Sequence, residues 1–162
     1  MMSQSEEEPI GIELPISLEA TRRGAVAHLR LARSEKRNAL DDVTVLGIET
    51  FFNHLPKDIR AVVLTGNGAH FSAGLDLSEV AGERDPLDGV LHSRMWHRAF
   101  EAIQFCRAPV IAALHGAVVG GGLELAAATP TSASPNARPI TACPRASAAS
   151  FSAAAAPCAS PA

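Results

Sequence analysis

The chain has 162 residues, and 47% of them are hydrophobic, which is enough apolar material for the core of one domain. Lys and Arg number 14 against 17 Asp and Glu, so the net charge of −3 includes no basic surplus that would indicate a nucleic-acid partner. The three cysteines form no C-x-x-C pair and are odd in number, which favours a reducing compartment over a disulfide framework or a metal site.

The first nine residues, MMSQSEEEP, are polar and acidic. They lack the cationic start and apolar run of a signal peptide and the arginines of a transit peptide. No apolar run approaches the roughly 20 residues that a helix needs to cross a bilayer. We therefore expect a soluble, cytoplasmic protein with no membrane partner, in which residues 1–15 form a flexible tail.

Four segments have the pattern of strands. Residues 16–19 and 25–31 alternate partly between apolar and polar side chains, and residues 22–24 (Arg-Arg-Gly) between them predict the turn of a β-hairpin. Residues 61–65 and 110–114 are continuous apolar runs, which are typical of buried strands.

Two segments have the pattern of helices. The first opens at residues 38–42, with an Asp as its N-cap, and runs to about Leu55. Its predicted apolar face consists of Val43, Leu46, Thr50 and Phe51. The second runs from about residue 90 to residue 106, after a surface loop at residues 85–90. The histidines of this second helix, which we expect to be solvated, are His92 and His97.

Three consecutive glycines, Gly120, Gly121 and Gly122, run into an alanine-rich helix that carries Glu124. Glycine lets a ligand approach the backbone closely, and the first N–H groups of a helix have no partner within it, so a developing oxyanion would be stabilised there. Glu124 follows Gly121 by three residues and shares its helix face, as a general base would. Alternatively, the glycines only allow tight packing, and Glu124 only complements the helix dipole.

A second small-residue site, Ala73 and Gly74, lies in the segment that follows the strand at residues 61–65. Ligands favour the carboxyl ends of the strands in an open α/β sheet. Because the order strand, loop, helix occurs twice, the sequence predicts an α/β fold in which two glycine-bearing loops converge on one ligand.

Four blocks of sequence carry a family resemblance. They are R-N-A-L at residues 37–40, F-S-A-G-L-D-L at 71–77, P-V-I-A-A-L-H-G at 109–116 and G-G-G-L-E-L at 120–125. In this order and spacing they resemble the crotonase family, also called the enoyl-CoA hydratase/isomerase superfamily. The resemblance covers residues 16–129 and implies an acyl-CoA-binding core with an α/β fold, a crotonase-like spiral of ββα units that is incomplete in this chain.

The resemblance implies an acyl-CoA thioester as the substrate, with coenzyme A as part of that substrate and no separate cofactor. Backbone N–H groups at Ala73 and Gly121 would hold the thioester oxygen, and Glu124 matches one of the two catalytic glutamates of the hydratases. Asp76 would order its loop rather than catalyse. The family forms homo-trimers or hexamers, whereas the oligomeric state of this chain stays open. The residues that would bind the substrate are Arg37, Asn38, Ala39, Leu40, Ala73, Gly74, Leu75, Asp76, Gly120 and Gly121.

The C-terminal segment departs from the family. The second glutamate would stand at the position of Pro144, and residues 130–162 are dominated by Ala, Ser and Pro without a helical or strand period. We expect this segment to be a low-complexity, disordered tail. From Pro130 onward, the third base of each codon can be read together with the first two bases of the next codon. This reading permits a segment H-I-R-V and, further on, L-P-E-G with its glutamate at position 144. We therefore hypothesise a small insertion near Thr129 that shifts the reading frame, and we expect a truncated, catalytically impaired chain.

Several functions stay open at this point. Glu124 alone does not distinguish a hydratase from an isomerase, because isomerisation needs only one base. The same scaffold also supports thioester hydrolysis and dehalogenation, since a fold does not fix the chemistry. A non-catalytic CoA-binding fragment is the alternative from a different class.

Overall fold

The computed structural model describes residues 7–79, 85–133 and 141–143. The strands are β1 (Glu8–Pro9), β2 (Leu18–Arg23), β3 (Val26–Leu31), β4 (Ala61–Gly66), β5 (Val110–Ala113), β6 (Ala117–Val119), β7 (Thr131–Ala133) and β8 (Thr141–Cys143). The α-helices are α1 (Asp42–Asn53), α2 (Pro86–Gln104) and α3 (Gly121–Ala127), and two single-turn 3₁₀ helices span Ser34–Lys36 and Leu77–Glu79.

Six of the described strands form one mixed sheet in the order β1-β2-β3-β4-β5-β7. The pairs β1–β2 and β2–β3 are antiparallel, and β3, β4, β5 and β7 run parallel to one another. Strands β6 and β8 form a separate parallel pair. This architecture confirms the predicted α/β class, and it brings the carboxyl ends of β3, β4 and β5 to one edge of the sheet, where the loops of the candidate site begin.

The predicted hairpin is confirmed as β2 and β3, and the two buried strands are confirmed as β4 and β5. The predicted turn was misplaced, because Arg22 and Arg23 belong to β2 and the chain reverses at Gly24, whose φ is +59°. The Arg22 guanidinium donates to the Gly24 carbonyl at 2.7 Å. The turn therefore lies at residues 24–25, whereas the sequence predicted it at residues 22–24.

One buried cluster joins the sheet to α1 and α2, with Leu29, Leu64, Phe51 and Ile103 all fully buried. The predicted apolar face of α1 was wrong by about one residue. Its buried positions are Thr44, Val45, Gly47, Ile48, Phe51 and Phe52, whereas Val43 and Leu46 are 60% and 43% exposed. The predicted Asp cap is confirmed as Asp41, which accepts a hydrogen bond from the Thr44 amide.

Thr44, a buried residue of α1, explains why the predicted apolar face of this helix was wrong. Thr44 Oγ1 donates a hydrogen bond to Asp41 Oδ1, and it lies at hydrogen-bond distance, 2.8 Å, from Ser17 Oγ. These hydrogen bonds satisfy the hydroxyl in the interior, so a polar residue occupies a core position that the apolar pattern assigned elsewhere.

Helix α2 begins earlier than predicted, so the expected surface loop at residues 85–90 is wrong. Asp85 is its N-cap and accepts a hydrogen bond from the Leu87 amide at 3.0 Å. The expectation for His92 is also wrong, because its Nδ1 lies 2.9 Å from Asp42 Oδ1 and both atoms are shielded from solvent. His97 is exposed, as predicted.

Both chain ends contain more structure than predicted. Residues 7–15 are not a loose tail, because β1 pairs with β2, Ile10 is buried, and Pro15 lies against Gly47 of α1 so closely that a Cβ there would be 2.6 Å from its Cδ. The predicted disordered tail contains two strands: β7 extends the sheet beside β5, and β8 pairs with β6. Residues 1–6 and the remainder of the predicted tail lie outside the described residues.

Candidate active site

Asn38 ties together the loops on the carboxyl side of the sheet. Arg37 and Asn38 both have a φ of +53°, a left-handed conformation that non-glycine residues rarely adopt. The Asn38 side chain is buried, accepts a hydrogen bond from the Arg33 amide and donates two 2.8 Å hydrogen bonds to the carbonyls of Asn67 and His70. These three hydrogen bonds stabilise the left-handed backbone conformation of Asn38, so this side chain has a structural role.

The loop of residues 71–76 is fixed by a short parallel bridge between Leu40 and Leu75. The Leu40 amide donates to the Gly74 carbonyl, and the Asp76 amide donates to the Leu40 carbonyl, both at 2.8 Å. Ser72 Oγ donates to the Asn38 carbonyl at 2.8 Å. Because Leu40 engages the groups on either side of Leu75, the N–H of Leu75 itself points away from Leu40.

The triple-glycine loop packs directly on this segment. The Ser72 amide donates to the Ala117 carbonyl, and the Val119 amide donates to the Ser72 carbonyl, at 3.2 and 3.1 Å. Gly74, with a φ of +85°, approaches so closely that a Cβ there would collide with the Val119 carbonyl and lie 3.1 Å from the Gly121 nitrogen. The two glycine-bearing loops therefore meet, in agreement with the sequence prediction.

Ala73 does not present a free amide in this structure, which corrects its predicted role as an oxyanion donor. Its N–H donates to the Arg37 carbonyl at 2.9 Å. The amides of Leu75 and Gly121, in contrast, have no acceptor among the described residues. A Cβ on Gly121 would lie 3.6 Å from the Leu75 nitrogen, so these two amides are neighbours. The sequence had placed Leu75 among the substrate-binding residues but had not identified its amide as the donor.

Glu124 lies in the first turn of α3, half-buried, and its amide bonds to the Gly120 carbonyl at 3.1 Å. Within residues 7–79, 85–133 and 141–143, its carboxylate has neither an ion-pair partner nor a hydrogen-bond donor. Gly121 and Glu124 share one face of the helix by their spacing. A carboxylate without a partner, one helical turn from the Gly121 amide, can exchange a proton with a bound ligand.

Asp76 is held by a network around Arg33, a residue that the sequence analysis missed. Arg33 Nη2 lies 2.9 Å from Asp76 Oδ2, and Arg33 Nη1 lies 2.9 Å from Asp41 Oδ2. Hydrogen bonds from Ser78, and then the Arg33 and Lys36 cations, hold the pKa of Asp76 below its ordinary value of 3.8. The geometry supports the predicted loop-ordering role of Asp76. Since 43 residues separate it from Arg33, no local pattern could have revealed the pair.

The remaining predicted substrate residues differ in their accessibility. Leu40 is fully buried, so its side chain, like that of Asn38, belongs to the fold rather than to a ligand surface. Arg37 is exposed and Ala39 is half-buried. Gly120, with a φ of +52°, occupies the N-cap position of α3. Because glycine has no side chain, it makes no capping hydrogen bond there.

Trp96 of α2 borders the site, and the sequence analysis had given it no function. A Cβ on Gly121 would lie 2.6 Å from Trp96 Cζ3 and 3.1 Å from Cη2, so the edge of the six-membered ring touches the glycine backbone. The Trp96 side chain is 8% exposed, and no acceptor for its Nε1–H is found in the part of the chain that the structure describes. Over the same part of the chain, the structure contains no group of three or more His, Cys, Asp or Glu residues that could hold a metal ion.

Comparisons with known proteins identify the family of this chain. The enoyl-CoA hydratase/isomerase family matches residues 21–138. The mitochondrial Delta(3,5)-Delta(2,4)-dienoyl-CoA isomerase of Mus musculus is 36% identical over 115 residues, which are 64% of this chain and 35% of that protein. The chain thus spans about a third of the length of this curated relative.

Two solved structures have the same fold. A Rhodopseudomonas palustris CGA009 protein, provisionally described as an enoyl-CoA hydratase, is 51% identical with a TM-score of 0.71 over 75% of this chain and 46% of that one. A Thermobifida fusca YX protein with the same provisional description, solved in complex with acetoacetyl-CoA, is 28% identical with a TM-score of 0.64 over 72% of this chain and 50% of that one.

The family match extends nine residues beyond the boundary that the sequence predicted at residue 129, and it includes β7. In the described part of the chain, no helix is long and apolar enough to cross a membrane. The two converging loops, the glycine-rich start of α3 and the match over residues 21–138 lead to one conclusion: the chain belongs to the enoyl-CoA hydratase/isomerase family, with the crotonase fold.

Proposed function

We propose that this chain binds an acyl-CoA thioester and stabilises its enolate between the backbone amides of Leu75 and Gly121. The observation that carries the proposal is the pair of neighbouring amides that lack an acceptor on two touching loops. An enolate places negative charge on the thioester oxygen, and preorganised donors stabilise that charge more than they stabilise the neutral carbonyl. Loss of one such donor costs about 3–4 kcal/mol in comparable acyl-transfer sites.

Glu124 would move the proton at C2 of the acyl group. Its carboxylate takes a proton from C2, the C2–H electron pair forms the enolate, and the two amides hold the resulting oxyanion. In a 3-enoyl thioester, return of that proton to C4 moves the double bond from C3–C4 to C2–C3, whereas hydration also requires a group that activates water. The sequence has Pro144 at the position where the family resemblance implies a second glutamate.

The substrate class is supported by the Thermobifida fusca relative, whose structure contains acetoacetyl-CoA. Coenzyme A belongs to the substrate in this proposal, and no separate cofactor is invoked. A cytoplasmic location stays a prediction, and the oligomeric state of this chain stays open. The murine relative is mitochondrial by its name.

Exchange of the C2 hydrogens for deuterium tests the proposal directly, because it detects the enolate without a complete reaction. Butanoyl-CoA is incubated in D₂O with the 162-residue chain, and mass spectrometry follows the label. We expect exchange above the buffer rate that Glu124→Gln reduces by about 10²-fold or more, while the affinity for butanoyl-CoA changes little. An exchange rate that Glu124→Gln leaves unchanged would contradict the role of this carboxylate.

A non-catalytic CoA-binding role is the second candidate, and the absence of a second carboxylate at residue 144 favours it. The same experiment separates the two candidates, since binding of butanoyl-CoA without exchange supports the non-catalytic role. If exchange occurs, product analysis with 2-enoyl and 3-enoyl thioesters separates hydration from isomerisation. Release of free coenzyme A would instead indicate thioester hydrolysis.

A further inference from the structure

Trp96 occupies a distinctive position beside the proposed oxyanion amides. The edge of its six-membered ring touches the Gly121 backbone so closely that a Cβ there would lie 2.6 Å from Cζ3. The same Cβ position is 3.6 Å from the Leu75 nitrogen. The Cβ direction of Gly121 therefore faces both the indole edge and the Leu75 nitrogen.

The ring is held from two further sides. Phe100, one turn along α2, makes an edge-to-face contact with a centroid distance of 5.8 Å and an interplanar angle of 90°. His92, one turn back, lies at 5.6 Å with a tilt of 41°. The His92 ring is in turn placed 2.9 Å from Asp42 on α1. A ring packed on three sides has few alternative rotamers, so it acts as a rigid surface.

We infer that Trp96 is a specificity-determining residue that restricts the acyl group to thioesters without a branch at C2; this rests on the proposed function. When the thioester oxygen lies between the amides of Leu75 and Gly121, C2 is only two bonds away from it. A methyl branch on C2 then meets the indole edge, which cannot move away. Unbranched acyl groups have no methyl group at C2 that would clash with the indole edge. They are therefore the substrate class that Trp96 admits.

Binding of two saturated thioesters tests the inference without requiring turnover. Isothermal titration calorimetry gives Kd for butanoyl-CoA and 2-methylbutanoyl-CoA with the 162-residue chain. We expect the unbranched thioester to bind about tenfold more tightly or better, since one misplaced methyl group in a fitted pocket changes affinity by this order. In Trp96→Leu, the ratio is expected to fall below about threefold through a gain for the branched ligand.

Two further variants serve as controls. Phe105→Leu removes an aromatic ring that is 78% exposed, just beyond the end of α2, and should keep the wild-type ratio. Trp96→Phe retains a ring against Phe100 and should give an intermediate ratio, so it replaces Trp96→Leu if the latter does not fold. A wild-type ratio near one, or a ratio that both Trp96 variants leave unchanged, overturns the inference. Absence of binding by both thioesters contradicts the proposed function as well.

Discussion

The backbone amide of Ala73 donates a hydrogen bond to the carbonyl of Arg37 across 2.9 Å. This bond fastens the segment of residues 71–76 to the turn after β3. Because it occupies the Ala73 amide, this amide is not available to a ligand. Two residues further on, the Leu75 nitrogen lies 3.6 Å from the position of a Cβ on Gly121, and its N–H has no acceptor in the described parts of the chain.

Replacing single amides by esters tests this division of roles. We expect an ester at the Leu75 nitrogen to weaken acetoacetyl-CoA binding about tenfold or more with little change in Tm, because the lost N–H bonds only the ligand. The change is made by incorporating the α-hydroxy analogue of leucine, and binding is measured by calorimetry. The equivalent ester at Ala73 should lower stability by about 1 kcal/mol and leave affinity nearly unchanged. The reverse pattern would restore Ala73 as the donor.

The close approach of the two loops requires glycine at position 74. In Gly74→Ala, the new Cβ would collide with the Val119 carbonyl at a residue whose φ is +85°, so we expect a loss of about 2 kcal/mol or more in the free energy of unfolding. Chemical denaturation measures the loss. Gly89→Ala is the matched control, because nothing lies within 4 Å of a Cβ there and the residue is inside α2. That variant should gain about 0.5–1 kcal/mol. Equal effects of the two variants would refute the steric explanation.

The interactions of Asp76 with Ser78, Arg33 and Lys36 make the free energy of unfolding depend on pH. Because they hold the pKa of Asp76 below its ordinary value of 3.8, the unfolded chain binds more protons than the folded one as the pH falls. The stabilisation is complete above about pH 5 and is lost progressively at lower pH. Measured between pH 7 and pH 3, Tm should fall less steeply for Asp76→Asn than for the wild type, after a lower start at pH 7. Glu101→Gln, at an exposed position of α2, should follow the wild-type slope. Parallel curves for Asp76→Asn and the wild type would show that Asp76 contributes nothing.

Sequence patterns predicted β4 and β5 well because each is a continuous apolar run bounded by turn residues. They failed where a distant contact decides the outcome. Thr44 can be buried because Asp41 and Ser17 satisfy its hydroxyl group, and no periodicity contains that information. The start of α2 was missed although Asp85 followed by proline is a recognised N-terminal signal.

The candidate site shows the same division between local and distant information. The meeting of the two glycine loops could be predicted, since both follow strands at one edge of the sheet. The choice between the amides of Ala73 and Leu75 could not be predicted, because it depends on the register of the bridge between Leu40 and Leu75. Likewise, the contact between Trp96 and Gly121 joins separate elements that only the packing of α2 brings together.

The hypothesis of a shifted reading frame gives a genetic prediction. The alternative frame permits Ile-Arg-Val at residues 131–133, a sequence with a stronger strand preference than the Thr-Ser-Ala of β7. We expect sequencing across the codons of Thr129 and Pro130 to find two bases more than in a closely related gene, because the alternative frame joins the third base of each codon to the first two bases of the next. The chain with the restored frame should hydrate but-2-enoyl-CoA about 10²-fold faster or more than the 162-residue chain, because it regains a second carboxylate. An intact frame in the gene, with no added base, would remove the hypothesis.

Trp96 is the single tryptophan of a chain that has no tyrosine. Excitation at the red edge of protein absorption therefore excites one indole, which touches the Gly121 backbone. Its emission reports on this one place in the molecule, so unfolding of the glycine loop and arrival of an acyl group can both be followed in the native protein without an attached dye.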